Sequence, residues 1–271
     1  MSRPVPIPVI DPSDPRVAAY RNVRERDLVG REGRFVAEGE VVLRMLIRSP
    51  RHTAESVLVD ERRLAKLRPL LDELPGDTPV YAAGQAVIDA VAGFHLHRGI
   101  LAIGRRAPDL SAGDLLASLP ARAVVLVLFG ISNHDNMGGL FRNAAAFGAG
   151  AVLLDPGCCD PLYRKAIRVS VGHALTVPFA RLGEDEDAIA LLRGGGFEPL
   201  ALTPGGAVPL AGLDPPSRAA VLLGTEGPGL PQRIIAEARP VAVPMAPGVD
   251  SLNVAVTAGI VLHHLRFGRS G

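Results

Sequence analysis

Several large function classes are excluded by what this chain of 271 residues lacks. It has no run approaching the ~18 consecutive apolar residues of a membrane span. Its opening, "MSRPVPIPVIDPSDPR", has neither a long apolar core nor a small-residue cleavage site. The expectation is therefore a cytoplasmic protein without a secretory leader. Cysteine is limited to Cys158 and Cys159. Adjacent cysteines rarely form a disulfide, and two ligands cannot build a structural zinc site, so both are read as reduced thiols near a strand end. There is no HExxH, CxxC or GxSxG, which removes the usual footholds of zinc and serine-hydrolase chemistry. There is no GxxxxGK[ST], and "GTEGPG" lacks the GxGxxG spacing, with Pro231 intervening before any helix. A phosphate-binding P-loop and a Rossmann hydride carrier are thus excluded. No internal repeat is present, and the formal net charge is only +1.

Apolar content of 48% supplies a sizeable core. Charge is unevenly shared: residues 1–106 carry 17 Lys+Arg against 14 Asp+Glu, a net of +3, and residues 107–271 carry 12 against 14, a net of −2. A basic half can meet phosphates, although solvated arginines give the same count. Residues 1–16 hold five prolines and read as an arm. Helical spacing at Val17, Tyr20, Val23 and Leu28 follows, giving an N-terminal arm and helix over 1–29. In 30–106, "RFVAEGEVVLRMLIRSP" reads as a helix ended by Pro50, "SVLVD" as a strand and "ERRLAKLRPLLDEL" as an amphipathic helix. "PVYAAG", "QAVIDAVAG" and "GILAIGRR" complete an alternating α/β module. Residues 107–120, polar with Pro and Gly, read as a linker.

The second half, 121–271, restarts with the apolar strand "AVVLVLFG", then a loop, the helix "LFRNAAAFG" and the strand "AVLLD". This spacing is a βαβ unit with a parallel sheet. "FEPLALT", "AAVLLG" and "VAVPM" are further strands. The last helix, "VAVTAGIVLHHL", is so apolar that it is expected to pack on a second surface, such as another subunit. Ligands of parallel sheets bind outside the carboxyl ends of strands. Three such ends carry unusual loops: "ISNHDNMGG", "LGTEGPGLP" and "PMAPGVDSLN". Each has an ordinary structural reading as well. Asn133 and Asn136 suit a helix cap, as do Asp250, Ser251 and Asn253, while Arg142 on its own suits a solvated helix.

Taken in order, the three loops resemble the SpoU (TrmH-like) family of RNA ribose 2′-O-methyltransferases, in the knotted SPOUT superfamily. The first motif is matched by Asn136, Met137, Gly138, Gly139 and Arg142; the second by Leu223, Gly224, Thr225, Glu226 and Gly227, continuing to Gly229 and Leu230. The third is matched by Pro244, Met245, Ser251, Leu252, Asn253 and Val254. "IRVSVGHAL" (167–175) is similar to the segment between the first two motifs, and residues 30–106 resemble the family's substrate-binding domain. Many members have Asp-Pro ahead of the motif asparagine, where this chain has Asn133-His134-Asp135.

The resemblance implies an α/β fold whose parallel-sheet C-terminal domain carries a trefoil knot, preceded by a small RNA-binding domain. It implies S-adenosylmethionine as cofactor, no metal, a homodimer, and structured RNA as substrate, rRNA ahead of tRNA. It places Arg142, Asn136, Glu226 and Asn253 at the reacting centre. Gly224, Gly229, Thr203, Val243, Met245, Ser251 and Leu252 would lie around the cofactor, with Gly227 beside them. The glycines would let backbone approach the cofactor. Arg142 would polarise the ribose hydroxyl, His134 being the alternative group for the proton. Arg24, Arg26, Arg62 and Arg63 are the candidate RNA contacts. Two other readings of the same scaffold are a non-catalytic RNA-binding or ribosome-assembly protein and a methyltransferase acting on a base nitrogen.

Overall fold

Apolar β-branched runs become strands wherever both faces find cover, and these runs fix the two sheets of the protein. A computed structural model describes residues 3–21, 29, 32–93, 95–225 and 227–268. Contacts divide the chain into two units, 1–108 with 162–176 and 109–161 with 177–271.

In the first unit, β1 (Pro6–Pro8), β2 (Arg34–Glu38), α1 (Glu40–Ile47), β3 (Thr53–Asp60) and α2 (Leu64–Leu71) are followed by β4 (Val80–Ala83), α3 (Gln85–Ala92) and β5 (Ile100–Arg105). The sheet order is β1-β4-β3-β5-β2. β4 lies parallel to β1 and β3, while β5 is antiparallel to β3 and β2. The proline-rich start is more than an arm. β1 forms the sheet edge, where a strand tolerates proline, and Val9, Val17 and Tyr20 are buried with Leu58, Ile88 and Ile103. The Tyr20 hydroxyl lies 2.7 Å from Ser56 Oγ, and burial pushes the phenol pKa up. The segment read as one helix from residue 34 divides in two. Arg34–Glu38 pairs with β5, and Gly39, at φ 95°, turns the chain into α1.

Residues 162–176 belong to this unit although they follow the βαβ segment in sequence. Their helix α6 (Arg164–Val169) packs on β2. Ser49 Oγ donates to Leu175 O at 2.7 Å. Gly172, at φ 85°, lies so near α1 that a Cβ there would come within 2.8 Å of Met45 Cβ.

The second unit holds α4 (Ala112–Ala117), β6 (Ala123–Phe129), α5 (His134–Phe147), β7 (Ala151–Leu154), β8 (Phe179–Arg181), α7 (Ala188–Gly194) and β9 (Glu198–Leu202). It continues with β10 (Val208–Pro209), β11 (Arg218–Gly224), α8 (Gln232–Glu237), β12 (Arg239–Ala242) and α9 (Val254–Phe267). The order is β10-β12-β9-β11-β6-β7-β8, with parallel pairing throughout. β6, α5 and β7 form the expected βαβ unit. The stretch read as a linker contains α4, capped by Ser111, with Ala112, Leu115 and Leu116 in the core. Its polar residues face out, so the composition resembled a linker while three apolar positions anchor it. Among the described residues no helix is long and apolar enough to cross a membrane.

Candidate active site

A parallel sheet delivers its strand ends, and the backbone that follows them, to one edge. At the carboxyl ends of β9, β11 and β12 lies a cavity of about 320 Å³. All seven residues expected around a cofactor line it: Thr203 after β9, Gly224 and Gly229 from the second loop, and Val243, Met245, Ser251 and Leu252 from the third. Leu202, Leu223 and Val254 make its wall largely apolar, with Thr225, Thr257 and Asp250 as polar points. That mixture suits a small organic ligand held by shape and a few polar contacts. Thr257 and Pro204 were missed in the sequence. Thr257 sits one helical turn after Asn253, a spacing that puts both on one face, and Pro204 simply follows Thr203 off its strand.

The glycines divide by purpose. At Gly227 (φ 86°) and Gly229 (φ 71°), no atom lies within 4 Å of where a side chain would begin. Their left-handed backbone favours glycine, and the cavity stays open there. Gly224 is different: a Cβ would fall 2.2 Å from the Gly229 carbonyl carbon. It lets the second loop close on itself through the Thr225–Gly229 bridge, rather than admitting a ligand. Gly139 of the first motif likewise serves helix packing, since a Cβ there would meet Ala255 Cβ at 2.8 Å.

The first motif stands beside the cavity without lining it. Asn133 caps α5, its Oδ1 accepting from Asp135 N at 2.8 Å and Asn136 N at 3.3 Å. Of the three candidate caps of α9, Asn253 is the one used, accepting from Ala255 N at 2.9 Å and Val256 N at 3.3 Å. Its Nδ2 also donates to Asn136 Oδ1 at 2.8 Å, with Asn136 only 8% exposed. One hydrogen bond therefore ties the first motif to the third. Arg142 is exposed on α5. Glu226, Arg24 and Arg26 lie outside the described residues. Arg62 is committed to the buried carboxylate of Asp60 (Nε–Oδ1 3.0 Å, Nη2–Oδ2 2.6 Å), which weakens its case as an RNA contact. Arg63 stands in no ion pair among the described residues and donates to His97 O at 3.3 Å.

The loop after β7 braces the approach to α5. Asp155 Oδ1 accepts from Gly130 N at 2.9 Å, and Cys158 Sγ accepts from Ile131 N at 3.3 Å. Burial, with Asp155 adding to it, pushes the Cys158 thiol up to about 12. Both cysteines are free, as expected. Among the described residues no group of three or more His, Cys, Asp or Glu could hold a metal ion.

Residues 123–263 match the SpoU rRNA Methylase family. An uncharacterized tRNA/rRNA methyltransferase of Mycobacterium bovis is 41% identical over 94% of this chain and 90% of its own length. The AdoMet-bound rRNA methyltransferase of Sinorhizobium meliloti superposes with a TM-score of 0.78 at 22% identity, over 96% of this chain and 97% of that one. The SpoU methyltransferase AviRb of Streptomyces viridochromogenes, in complex with AdoMet, gives 0.77 at 20% identity, over 92% and 95%. The two structures share the fold. The family match covers the whole parallel-sheet core, and the Mycobacterium relative extends the likeness through the first unit; the chain belongs to the SpoU rRNA methylase family.

Proposed function

We propose that the protein transfers a methyl group from S-adenosylmethionine to a ribose 2′-hydroxyl of structured RNA, rRNA ahead of tRNA, in the cytoplasm. The observation that carries this reading is the convergence of all seven expected cofactor residues on one cavity, joined to the arginine-bearing helix through Asn253 and Asn136. The Mycobacterium relative is called a tRNA/rRNA methyltransferase, and both structural neighbours are AdoMet-bound.

The cofactor supplies an electrophilic methyl group on a sulfonium, so the protein needs no nucleophile of its own. Its residues have two tasks, positioning and charge stabilisation. Positioning two reactants in contact is worth ~7–11 kcal/mol of the barrier. Leu223, Val243 and Leu252 give the cofactor apolar walls, and Thr203, Ser251 and Asp250 give it polar anchors. Arg142 faces solvent, where the RNA arrives. Its guanidinium stabilises negative charge growing on the attacking oxygen, a contribution of about 3–4 kcal/mol for one well-placed donor. A guanidinium carries a permanent, delocalised charge, so it acts by electrostatics rather than as a base. The Asn136–Asn253 bond fixes the first turn of α5, and through it the direction from which Arg142 reaches.

Two features of the second unit suit a knotted, dimeric assembly. β12 lies beyond β9 from β11, so the chain crosses β9 between its second and third loops, as threading of a knot requires. Val256 (51% exposed), Ile260 (39%) and Phe267 (61%) form an apolar stripe on α9, suited to a homodimer.

Calorimetry of S-adenosylmethionine binding by the full chain, followed by mapping of 2′-O-methyl groups in rRNA and tRNA from cells with and without the gene, tests the reading. Cofactor binding plus loss of one or more ribose methyl groups is expected. Loss of a base methyl group with all ribose methyl groups intact would overturn the ribose assignment, and absence of cofactor binding would overturn the whole.

A further inference from the structure

The loop between α3 and β5 carries a group of side chains that the cavity does not use. His95 and His97 meet edge to face, with ring centroids 4.5 Å apart and planes at 87°. His95 is held from behind: its Nδ1 lies 2.6 Å from Asp89 Oδ2, and its side chain is still 58% exposed. Asp89 organises the whole turn, accepting also from Leu96 N at 2.9 Å and from Gln85 Nε2 at 2.6 Å. His97 is exposed as well. Two arginines adjoin this loop, Arg98 next to His97 in the chain and Arg63 through the His97 carbonyl, each laid across a glycine. The Arg63 side chain crosses Gly99, where a Cβ would meet its Nε at 2.9 Å, and Arg98 crosses Gly39, where a Cβ would meet its Cδ at 2.9 Å. Both glycines have positive φ, 58° and 95°. Of the neighbouring carboxylates, Asp60 is matched by Arg62, Glu40 by Arg44 and Asp89 by His95. Among the described residues, Arg63 and Arg98 have no carboxylate within ion-pair distance.

Exposed flat rings near guanidinium groups that stand in no ion pair among the described residues match the chemistry of unpaired nucleotides. Bases splayed out of a helix stack on aromatic or imidazole faces, and the adjoining phosphates take arginine. A closed RNA duplex buries its base faces and offers such rings nothing. We propose that His95 and His97, with Arg63 and Arg98, form a recognition element for a single-stranded loop or bulge of the RNA substrate. A base stacks on the His97 ring, which His95 braces edge to face, and its flanking phosphates lie on the two arginines. This rests on the reading of the protein as an RNA methyltransferase and deepens it, by assigning the substrate an unpaired nucleotide outside the methylated one.

The test is binding of the full chain to a labelled RNA stem-loop and to the closed duplex of the same stem, by fluorescence anisotropy across a salt series. Wild type is expected to prefer the stem-loop. His97→Ala, whose side chain holds no other part of the turn, is expected to lose roughly tenfold or more on the stem-loop and little on the duplex. His97→Phe, which keeps a stacking face, restores most of that loss. The double variant Arg63→Ala/Arg98→Ala lowers the salt slope by about two. S-adenosylmethionine affinity stays unchanged in all of them. Stem-loop binding by His97→Ala and by the arginine variant equal to that of wild type overturns this assignment alone. Wild type that binds the cofactor but neither RNA overturns the methyltransferase reading together with it.

Discussion

Asn253 uses both ends of one amide, its oxygen as the cap of α9 and its nitrogen as the link to Asn136. Serine is as good a cap as asparagine but too short to make the link. Asn253→Ser is therefore expected to keep the cap but lose ~1–3 kcal/mol of stability with the buried bond to Asn136, while cutting turnover about tenfold, a loss of ~1.4 kcal/mol from the transition state; calorimetry and initial rates on the same preparation check both. Arg142→Ala should lose more than ~100-fold in activity with cofactor affinity intact, because the arginine serves the nucleophile rather than the donor. A turnover near wild type would remove Arg142 from the mechanism. The thiols give a pH dependence. Burial pushes Cys158 to about 12 and Cys159 to about 11, from an ordinary value of 9.0. The unfolded chain thus loses these protons first, and the stability they contribute is fully present below pH 9 and falls as pH rises toward 12. Urea midpoints measured from pH 8 upward should decline less steeply in Cys158→Ala/Cys159→Ala than in wild type. At this scale the sequence was most legible where a side chain has one role. It was least legible at glycines, whose purpose depends on what lies across from them: Gly224 and Gly139 face backbone and a helix, and no spacing rule reveals that.

α5 and α9 cross at their smallest residues. Gly139 meets Ala255, and Gly259 lies against Asn143. Gly139→Val forces the helices apart at that crossing and is expected to cost ~1–3 kcal/mol by overpacking, with a matching loss of the Asn136–Asn253 contact; a denaturation curve and the rate together report it. A second face of α9 leaves Val256, Ile260 and Phe267 exposed. Light scattering is expected to show a dimer for wild type and a monomer for Ile260→Asp, and an active wild-type monomer at nanomolar concentration would refute the dimer. α5 was readable because it buries one consistent face, and α9, β6 and β11 because their apolar runs are nearly continuous, the two strands being buried on both faces. β2 was not, because its five residues run straight into the helical pattern of α1, and only the turn at Gly39 separates them. β1 was hidden by its prolines, which an edge strand accepts and sequence patterns penalise. α4 was hidden by the polar residues around its three buried positions.

At the scale of the whole chain, the two units are interleaved in sequence, because residues 162–176 complete the first after the second has begun. No composition shift marks that return; it depends on Gly172 reaching α1 and Ser49 reaching Leu175. Removing residues 1–108 therefore does more than delete most of the first unit. The remaining fragment is expected to keep S-adenosylmethionine binding but to be cut by protease within 162–176 much faster than the full chain, and equal cleavage rates would show that this segment stands without its partner. The position of the cavity has a consequence for synthesis. Its lining runs from Leu202 to Thr257, whereas the first unit has all its residues by 176. A ribosome that terminates between those points releases a product with a finished first unit and an unfinished pocket. On the function proposed above, such a product occupies RNA without modifying it, so a late nonsense mutation would act as a competitor of the intact enzyme, and an early one would simply be a null.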